Sequence, residues 1–306
     1  MKIFLLKLIL FSCCFFLFDK LFIPVMNYSP QIQKDKRIES MINGEINKKL
    51  IVLGSSRGAR NVIASGLESA TGMSAYNLSY PGSDIEFHEF ILRSLLKFNK
   101  PPKAVLLVVD DPSELLPSES ITFRYESLYP YVKYPHIIEE MVRRKEKNRL
   151  LAELLILYRM NSSNFNFRKI NFTPYDSLMK CGSMPVSFIS DSNLKFDEAR
   201  IHYNKENEVP EKIVAFQKLN MLCTENNIKL IIVFPPNYKN YSTAFEQRIR
   251  ELSRKEVLFY VYNSNNPVYR NKNYYADENH LVLEGSKKFT AEIASYISSS
   301  KLGHPQ

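Results

Sequence analysis

From residue 49 onward, short apolar runs alternate with amphipathic segments. Leu50-Ile51-Val52-Leu53 stops abruptly at Gly54-Ser55-Ser56-Arg57-Gly58, the pattern of a buried strand (residues 49–53) that opens into a turn. A helix over 61–71, a short strand over 74–78 and a helix over 85–98 follow, the last with Phe87, Phe90, Ile91 and Leu95 on one side. Residues 104–109 are a continuous apolar strand of the kind buried on both faces. The rhythm resumes at Pro210, a favoured first helical residue, with a helix to about 226 and a strand over 229–234 that ends at Pro235-Pro236. A helix over 242–255, a strand over 257–262 and a terminal helix over 281–298 complete the pattern. Strands that alternate with helices predict an α/β domain, residues 49–300, whose parallel sheet is covered on both faces. Ligands of such sheets sit at the carboxyl ends of the strands, where Ser56, the Gly82 turn, Asp110 and the Asp277 loop would converge.

Two stretches depart from this pattern. Between about 112 and 207 the chain is rich in Tyr, Asn, Ser and Pro and predicts one helix, over 136–160, so it reads as an insertion carried between two strands of the sheet. Substrate choice is expected there, because loops around the strand ends carry function on a rigid scaffold. Its Tyr125, Tyr129, Tyr131 and Tyr134 are expected to pack the insertion, with an aromatic platform for a sugar chain as the alternative. At the other extreme, Leu8 to Phe18 carries no charge and follows Lys2 and Lys7, and Leu21-Phe22-Ile23 extends it past Asp19 and Lys20. Residues 1–26 therefore predict a membrane-spanning signal anchor, and the lack of an Ala-x-Ala-like cleavage site favours it over a cleaved signal peptide. Cys13 does not make a lipoprotein signal, since the apolar run continues to Phe18 where a mature lipoprotein turns polar. Lys20, Lys34, Lys36 and Arg37 offset Lys2 and Lys7, so flanking charge leaves the orientation open. The polar residues 27–48 read as a tether.

A chain of 306 residues, 45% hydrophobic, suits one large domain with an insertion. Its formal charge of +9 raises the question of nucleic acid, but the cations are spread from Lys2 to Lys301 among acids, with no dense stripe. The one cluster, Arg143-Arg144-Lys145-Glu146-Lys147, reads as a solvated helix face. No nucleic-acid partner is expected; anionic head groups or acidic glycans are compatible with the charge. Cys13 and Cys14 lie in the apolar segment, leaving Cys181 and Cys223 as two thiols whose spacing suggests no metal site.

Candidate chemistry comes from both ends of the α/β domain. Asp277-Glu278-Asn279-His280 places an acid one helical turn before a histidine, a spacing that lets a carboxylate hold the imidazole in one tautomer while the ring activates a hydroxyl. Ser56, at the turn after the first strand, is the hydroxyl that would meet it. His88, His136, His202 and His304 belong to no motif and are expected at the surface or partly buried. The glycine pattern of 54–58 lacks the lysine of a phosphate loop, which argues against a nucleotide binder.

These residues carry a family resemblance. Over residues 49–109 and 229–298 the chain resembles the SGNH (GDSL-type) esterases and acyltransferases, which implies a three-layer α/β/α, flavodoxin-like fold. Gly54-Ser55-Ser56 stands where that family has Gly-Asp-Ser, with Ser56 at the nucleophile; Pro81-Gly82-Ser83-Asp84 matches the turn whose glycine amide is an oxyanion donor; Asp277 and His280 match the terminal Asp-x-x-His. The resemblance implies that Ser56 attacks, His280 is the general base, Asp277 orients it, and the amides of Ser56 and Gly82 receive the oxyanion, with no metal or organic cofactor. In the third block the family's Gly-x-Asn-Asp is replaced by Asp110-Asp111-Pro112, and an ionised aspartate cannot donate to an oxyanion. Arg57 and Asn77 are candidates for the missing donor. Membrane-anchored relatives with a Gly-Ser-Ser variant and a large insertion acylate envelope polymers, alginate acetylation factors and the D-alanyl transfer protein of teichoic acid synthesis among them. The resemblance therefore implies an extracytoplasmic O-acyltransferase or acyl esterase on a bacterial surface glycan, beside a multispanning membrane acyltransferase. The alternative, favoured by Asp110-Asp111, is a catalytically impaired binding or assembly protein of such a system.

Overall fold

The computed structural model describes residues 1–109, 111–167, 177–189, 193–198 and 203–300. Contacts divide the chain into two compact units, residues 1–39 with 124–171 and residues 40–123 with 172–306. In chain order the smaller unit opens with α1 (Lys2–Lys20) and α2 (Ile23–Tyr28), and α3 (Arg37–Ile42) runs across the division. The larger unit follows with β1 (Leu50–Gly54), α4 (Ser56–Asn61), α5 (Ala64–Thr71), β2 (Ala75–Asn77), α6 (Ile85–Phe98) and β3 (Ala104–Val108). The chain returns to the smaller unit for α7 (Tyr125–Leu128), α8 (Pro135–Arg143), α9 (Arg149–Leu154) and α10 (Ile156–Arg159). It then completes the larger one with α11 (Pro210–Glu225), β4 (Lys229–Phe234), α12 (Thr243–Leu252), β5 (Leu258–Val261) and α13 (Leu283–Ser299).

The larger unit is α/β, with a five-stranded, all-parallel sheet in the order β2-β1-β3-β4-β5. Successive side chains of a strand point to opposite faces, and here both faces are dry. Leu50, Val52, Leu106, Val108, Ile231 and Val233 share one apolar cluster with Leu67 of α5 and Phe289, Ile293 and Ile297 of α13. The intervening Ile51, Leu53, Val105, Leu107 and Ile232 are equally buried and face the other way, where α6 and α11 pack together with Phe87, Phe90, Phe216 and Leu219 inside. Full burial of each such side chain stabilises by about 1.5–3 kcal/mol, so the sheet is a stiff platform for whatever its carboxyl ends carry.

Several expectations are corrected. The helix expected over 61–71 is two helices: α4 begins at Ser56, and the β-branched pair Val62-Ile63 is extended between α4 and α5. The Val62 carbonyl accepts instead from the side chains of Asn77 and Ser183, at 3.0 and 2.9 Å. The single helix expected over 136–160 is α8, α9 and α10. Lys145, at φ +62°, ends the first; Asn148 caps the second by accepting from the Leu151 amide at 3.2 Å; extended Leu155 separates the third. In the basic cluster nearby, Arg143 and Arg144 both engage Glu140.

Residues 27–48 are not a polar tether. They include the end of α2, a 3₁₀ turn over Ser29–Ile32 and α3, with Arg37, Ile38 and Met41 buried. Ile38 and Met41 make an i, i+3 apolar pair that the surrounding charges obscured, and Arg37 is held by Asp35 at 2.7 Å. The insertion is also divided: 124–171 groups with the N-terminal residues, whereas 112–123 and 172–207 belong with the sheet. Within the smaller unit Tyr129 and Tyr131 are buried and Tyr134 donates to Glu39 at 3.0 Å, so these tyrosines pack the unit.

Among the described residues one helix is long and apolar enough to cross a membrane, the N-terminal one. At 1.5 Å per residue, α1 alone is about 28 Å long, close to the hydrocarbon thickness of a bilayer, and its leucines and phenylalanines are exposed.

Candidate active site

Ser56 owes its position to Gly54. Gly54 lies at φ +153°, and a Cβ there would stand 2.8 Å from the Val108 carbonyl oxygen and 2.9 Å from its Cβ across the β1–β3 pair. Only glycine lets the strand end that tightly and turn at once into α4, whose first residue is Ser56. Gly54→Ala should therefore destabilise the larger unit by about 1–3 kcal/mol, read as a lower urea midpoint. A variant as stable as the parent would show that the turn does not depend on the missing Cβ.

From the far end of the chain, His280 reaches the same turn. Its Nε2 lies 2.8 Å from Ser56 Oγ, and its Nδ1 lies 2.9 Å from each Asp277 oxygen. Asp277 Oδ1 also accepts from the backbone amides of Asn279 and His280, at 2.9 and 3.0 Å, which closes the loop around the carboxylate. Buried polar contacts fasten this segment to α4: Asn61 Oδ1 accepts from the Leu281 amide at 3.0 Å, and Ser286 Oγ donates to the Arg60 carbonyl at 3.0 Å. The His280 side chain is 13% exposed and that of Asp277 27%, so the chain of bonds lies at the edge of solvent, where a substrate can reach it.

The Gly82 turn is tied to the end of β1, two residues before Ser56. The Tyr80 amide donates to the Gly54 carbonyl at 3.0 Å, and Tyr80-Pro81-Gly82-Ser83 closes as a turn through the Ser83 amide and the Tyr80 carbonyl at 3.1 Å. Proline in second place and glycine at φ +72° in third are the type II arrangement. Ser56 opens a helix, so its amide has no intrahelical acceptor, and among the described residues the Gly82 amide donates to no backbone carbonyl. Both amides therefore keep a donor that no backbone carbonyl takes up among the described residues.

Neither candidate substitute donor is free for that role. Asn77 is fully buried, its Nδ2 donating to the carbonyls of Gly58 and Val62 at 2.9 and 3.0 Å and its Oδ1 accepting from the Ser79 amide at 2.9 Å. It braces the far end of α4. Arg57 is 3% exposed, with its guanidinium 3.7 Å from Asp111, and Asn237 in its hydrogen-bonding rotamer accepts from Arg57 at 3.2 Å. Asp111 caps the turn over Pro112–Glu114 by accepting from Ser113, and Lys239 stands 4.0 Å from it. Asp110 lies outside the described residues, as do His202 and His304.

His88, expected at the surface or partly buried, is almost fully buried. Its Nε2 lies 3.0 Å from Ser83 Oγ, which also donates to the Tyr80 carbonyl at 2.6 Å, and buried Glu114 is 3.8 Å from its Nδ1. This group stands behind the Gly82 turn and holds it. Its members come from separate segments, and only the position of His88 on the apolar side of α6, beside Phe87 and Ile91, hints at its burial. His136 is buried within the smaller unit. Cys181 and Cys223 are free thiols, and burial pushes the Cys223 thiol up to about 12.

Beyond Arg57, at the carboxyl ends of β4 and β5, opens a cavity of about 600 Å³ with Lys239, Arg270, Asn240, Tyr241, Tyr262 and Phe196 in its walls. Neither Ser56 nor His280 lines it. The Tyr238 amide donates to the Glu278 carbonyl at 2.8 Å, tying its rim to the Asp277 loop. No family model matches the chain, and no curated protein sequence matches it.

Proposed function

We propose that this protein is a serine-dependent O-acyltransferase or acyl esterase acting outside the cytoplasm on acyl groups, acetyl being the expected one, of a bacterial cell-surface polysaccharide, and that α1 holds it to the membrane. The observation that carries the reading is the unbroken chain Ser56 Oγ, His280 Nε2, His280 Nδ1, Asp277 carboxylate, and the amides of Ser56 and Gly82 are the oxyanion donors this reading expects. Ser56 Oγ attacks the acyl carbonyl as Nε2 takes its proton; the carbonyl oxygen becomes the oxyanion received by the two amides. Collapse expels the donor alcohol or thiol, which leaves with the proton returned by His280. A sugar hydroxyl, or water, then gives its proton to Nε2 and attacks the acyl-enzyme; as the bond from Oγ to the acyl carbon breaks, His280 returns that proton to Ser56 Oγ.

Membership of the SGNH family is part of this proposal. It is supported by Gly54-Ser55-Ser56, by Pro81-Gly82-Ser83-Asp84 and by Asp277-x-x-His280, and the sheet order agrees with a flavodoxin-like architecture. The cavity lined by tyrosines, amides and two cations suits a polar, sugar-like acceptor, and a multispanning membrane acyltransferase is the partner expected to deliver the acyl group. One observation favours the second reading, a catalytically impaired binding or assembly protein: Asp111 bears a carboxylate, paired with Arg57, where the family's third block is expected to supply a donor.

The two readings separate on exposure to a fluorophosphonate and, in parallel, to an activated acetyl ester, followed by intact-mass and peptide-mass measurement. The catalytic reading expects one phosphonyl and one acetyl adduct, both on the peptide that holds Ser56. No adduct from either reagent on a folded protein would sink it and leave the binding role.

A further inference from the structure

The smaller unit leaves Leu150, Leu151, Leu154, Phe165 and Phe167 between 40% and 62% exposed, all within one short stretch of chain. Isolated exposed leucines need no explanation, but a contiguous group of this size marks an interaction surface. Leu154 lies one turn from both Leu150 and Leu151, so the three flank one side of α9.

That side meets the point where α1 ends. Lys20 Nζ donates to the Leu154 carbonyl at 2.5 Å, and the Asp19 carboxylate accepts from the Ile156 and Leu157 amides at 2.8 Å each, capping α10. The Phe22 ring meets Phe165 edge-on at 6.0 Å, and Tyr28 lies 6.4 Å from Phe167. The exposed apolar side chains of α9 and of 165–167 are thus joined to the end of α1 by direct contacts.

We propose that these side chains are a collar that lies in the interfacial layer of the bilayer crossed by α1, so that the smaller unit rests on lipid. Continuity with α1 selects lipid as the occupant. A helix that spans the membrane brings its own exit point, and whatever is joined to it there, to the level of the head groups. Lys20 sits at that level, its ammonium 4.2 Å from the Phe16 ring centroid, and Arg149, on the same helix as the leucines, is 72% exposed with Glu153 3.9 Å from it, an exposed pair that a lipid phosphate can compete for. Asp19 is fully buried as the α10 cap, so the end of α1 is a structural part of the unit and the collar is held in register with it. The proposal rests on α1 spanning the membrane and is independent of the chemistry at Ser56.

The chain has no tryptophan, so each introduced one is a single reporter in the full-length protein. Leu151→Trp, Leu154→Trp and Phe165→Trp would be reconstituted in phosphatidylethanolamine–phosphatidylglycerol vesicles with and without brominated acyl chains, which quench tryptophan only within the bilayer. Phe11→Trp in α1 and Met221→Trp in α11 are the inside and outside references. The collar probes should lose most of their emission, approaching Phe11→Trp, while Met221→Trp is unchanged. Phe165→Trp exchanges one aromatic for another and keeps the test valid if the leucine variants fold poorly. Quenching of Phe11→Trp with collar probes no more affected than Met221→Trp overturns the collar and leaves the anchor standing. Collar probes that are blue-shifted yet insensitive to bromination also overturn it, in favour of a protein on that surface. If Phe11→Trp itself is not quenched, the membrane span fails and the collar with it.

Discussion

Ser56→Ala is expected to lower turnover of an activated acetyl ester by roughly 10⁴- to 10⁶-fold and to abolish the acyl-enzyme, with an unfolding midpoint close to that of the parent. The hydroxyl lies in a partly exposed turn and, among the described residues, its hydrogen-bond partner is His280 Nε2, so its loss opens no core cavity. His280→Ala should be about as damaging, because a serine without its base is a poor nucleophile. The double variant should be little worse than either single, since Ser56 and His280 act on the same proton. Ester turnover by the three variants decides the matter. Independent, multiplicative losses would mean that the 2.8 Å contact between the two side chains is not used in catalysis, and the binding role would replace the catalytic one.

The parts of this site that were legible in the sequence are those whose geometry is local. An apolar run that stops at Gly54-Ser55-Ser56 predicts a strand end with an exposed hydroxyl, and Asp277 needs only an i, i+3 spacing to reach His280. The alternation of strands and helices likewise predicted an α/β unit with a parallel sheet, because each period is set within a few residues. What stayed hidden is made by contacts between distant segments. In the sequence Asn77 is a spare donor near the motif, yet its amide is committed to the carbonyls of Gly58 and Val62; Asn61 is one more polar helical residue, yet its side-chain oxygen accepts from the Leu281 amide. His88 and Glu114 are buried together although neither belongs to a motif. The smaller unit is illegible in the sequence for a related reason. Its helices are short, and they are interrupted over residues 144–148, where Lys145 takes a positive φ, and at Leu155; its N-terminal part carries its apolar side chains, such as Ile38, among lysines and acids that make the average composition polar.

Asp277→Asn tests the remaining member of the chain, and it should leave the fold intact while lowering turnover by about 10⁴-fold. Asp277 has two tasks that the substitution separates. Its Oδ1 accepts from the amides of Asn279 and His280, and an asparagine oxygen can continue to do so, which keeps the loop closed. Its second oxygen, 2.9 Å from His280 Nδ1, becomes an NH₂ group that can only donate. Facing that NH₂ group, the ring favours the tautomer in which Nδ1 accepts and Nε2 carries the proton, and in that tautomer Nε2 cannot take a proton from Ser56 Oγ 2.8 Å away. The imidazolium that forms during attack also loses its carboxylate. Asp277→Ala should show the complementary result, with a lowered melting temperature as well as lost turnover, because two backbone amides lose their acceptor at about 0.5–1.5 kcal/mol each. Thermal unfolding and ester turnover measured on the same preparations separate the two tasks. Parent-like turnover in Asp277→Asn would show that the tautomer of His280 is set by another group, and Asp277 would then be a loop-closing residue with no part in the chemistry.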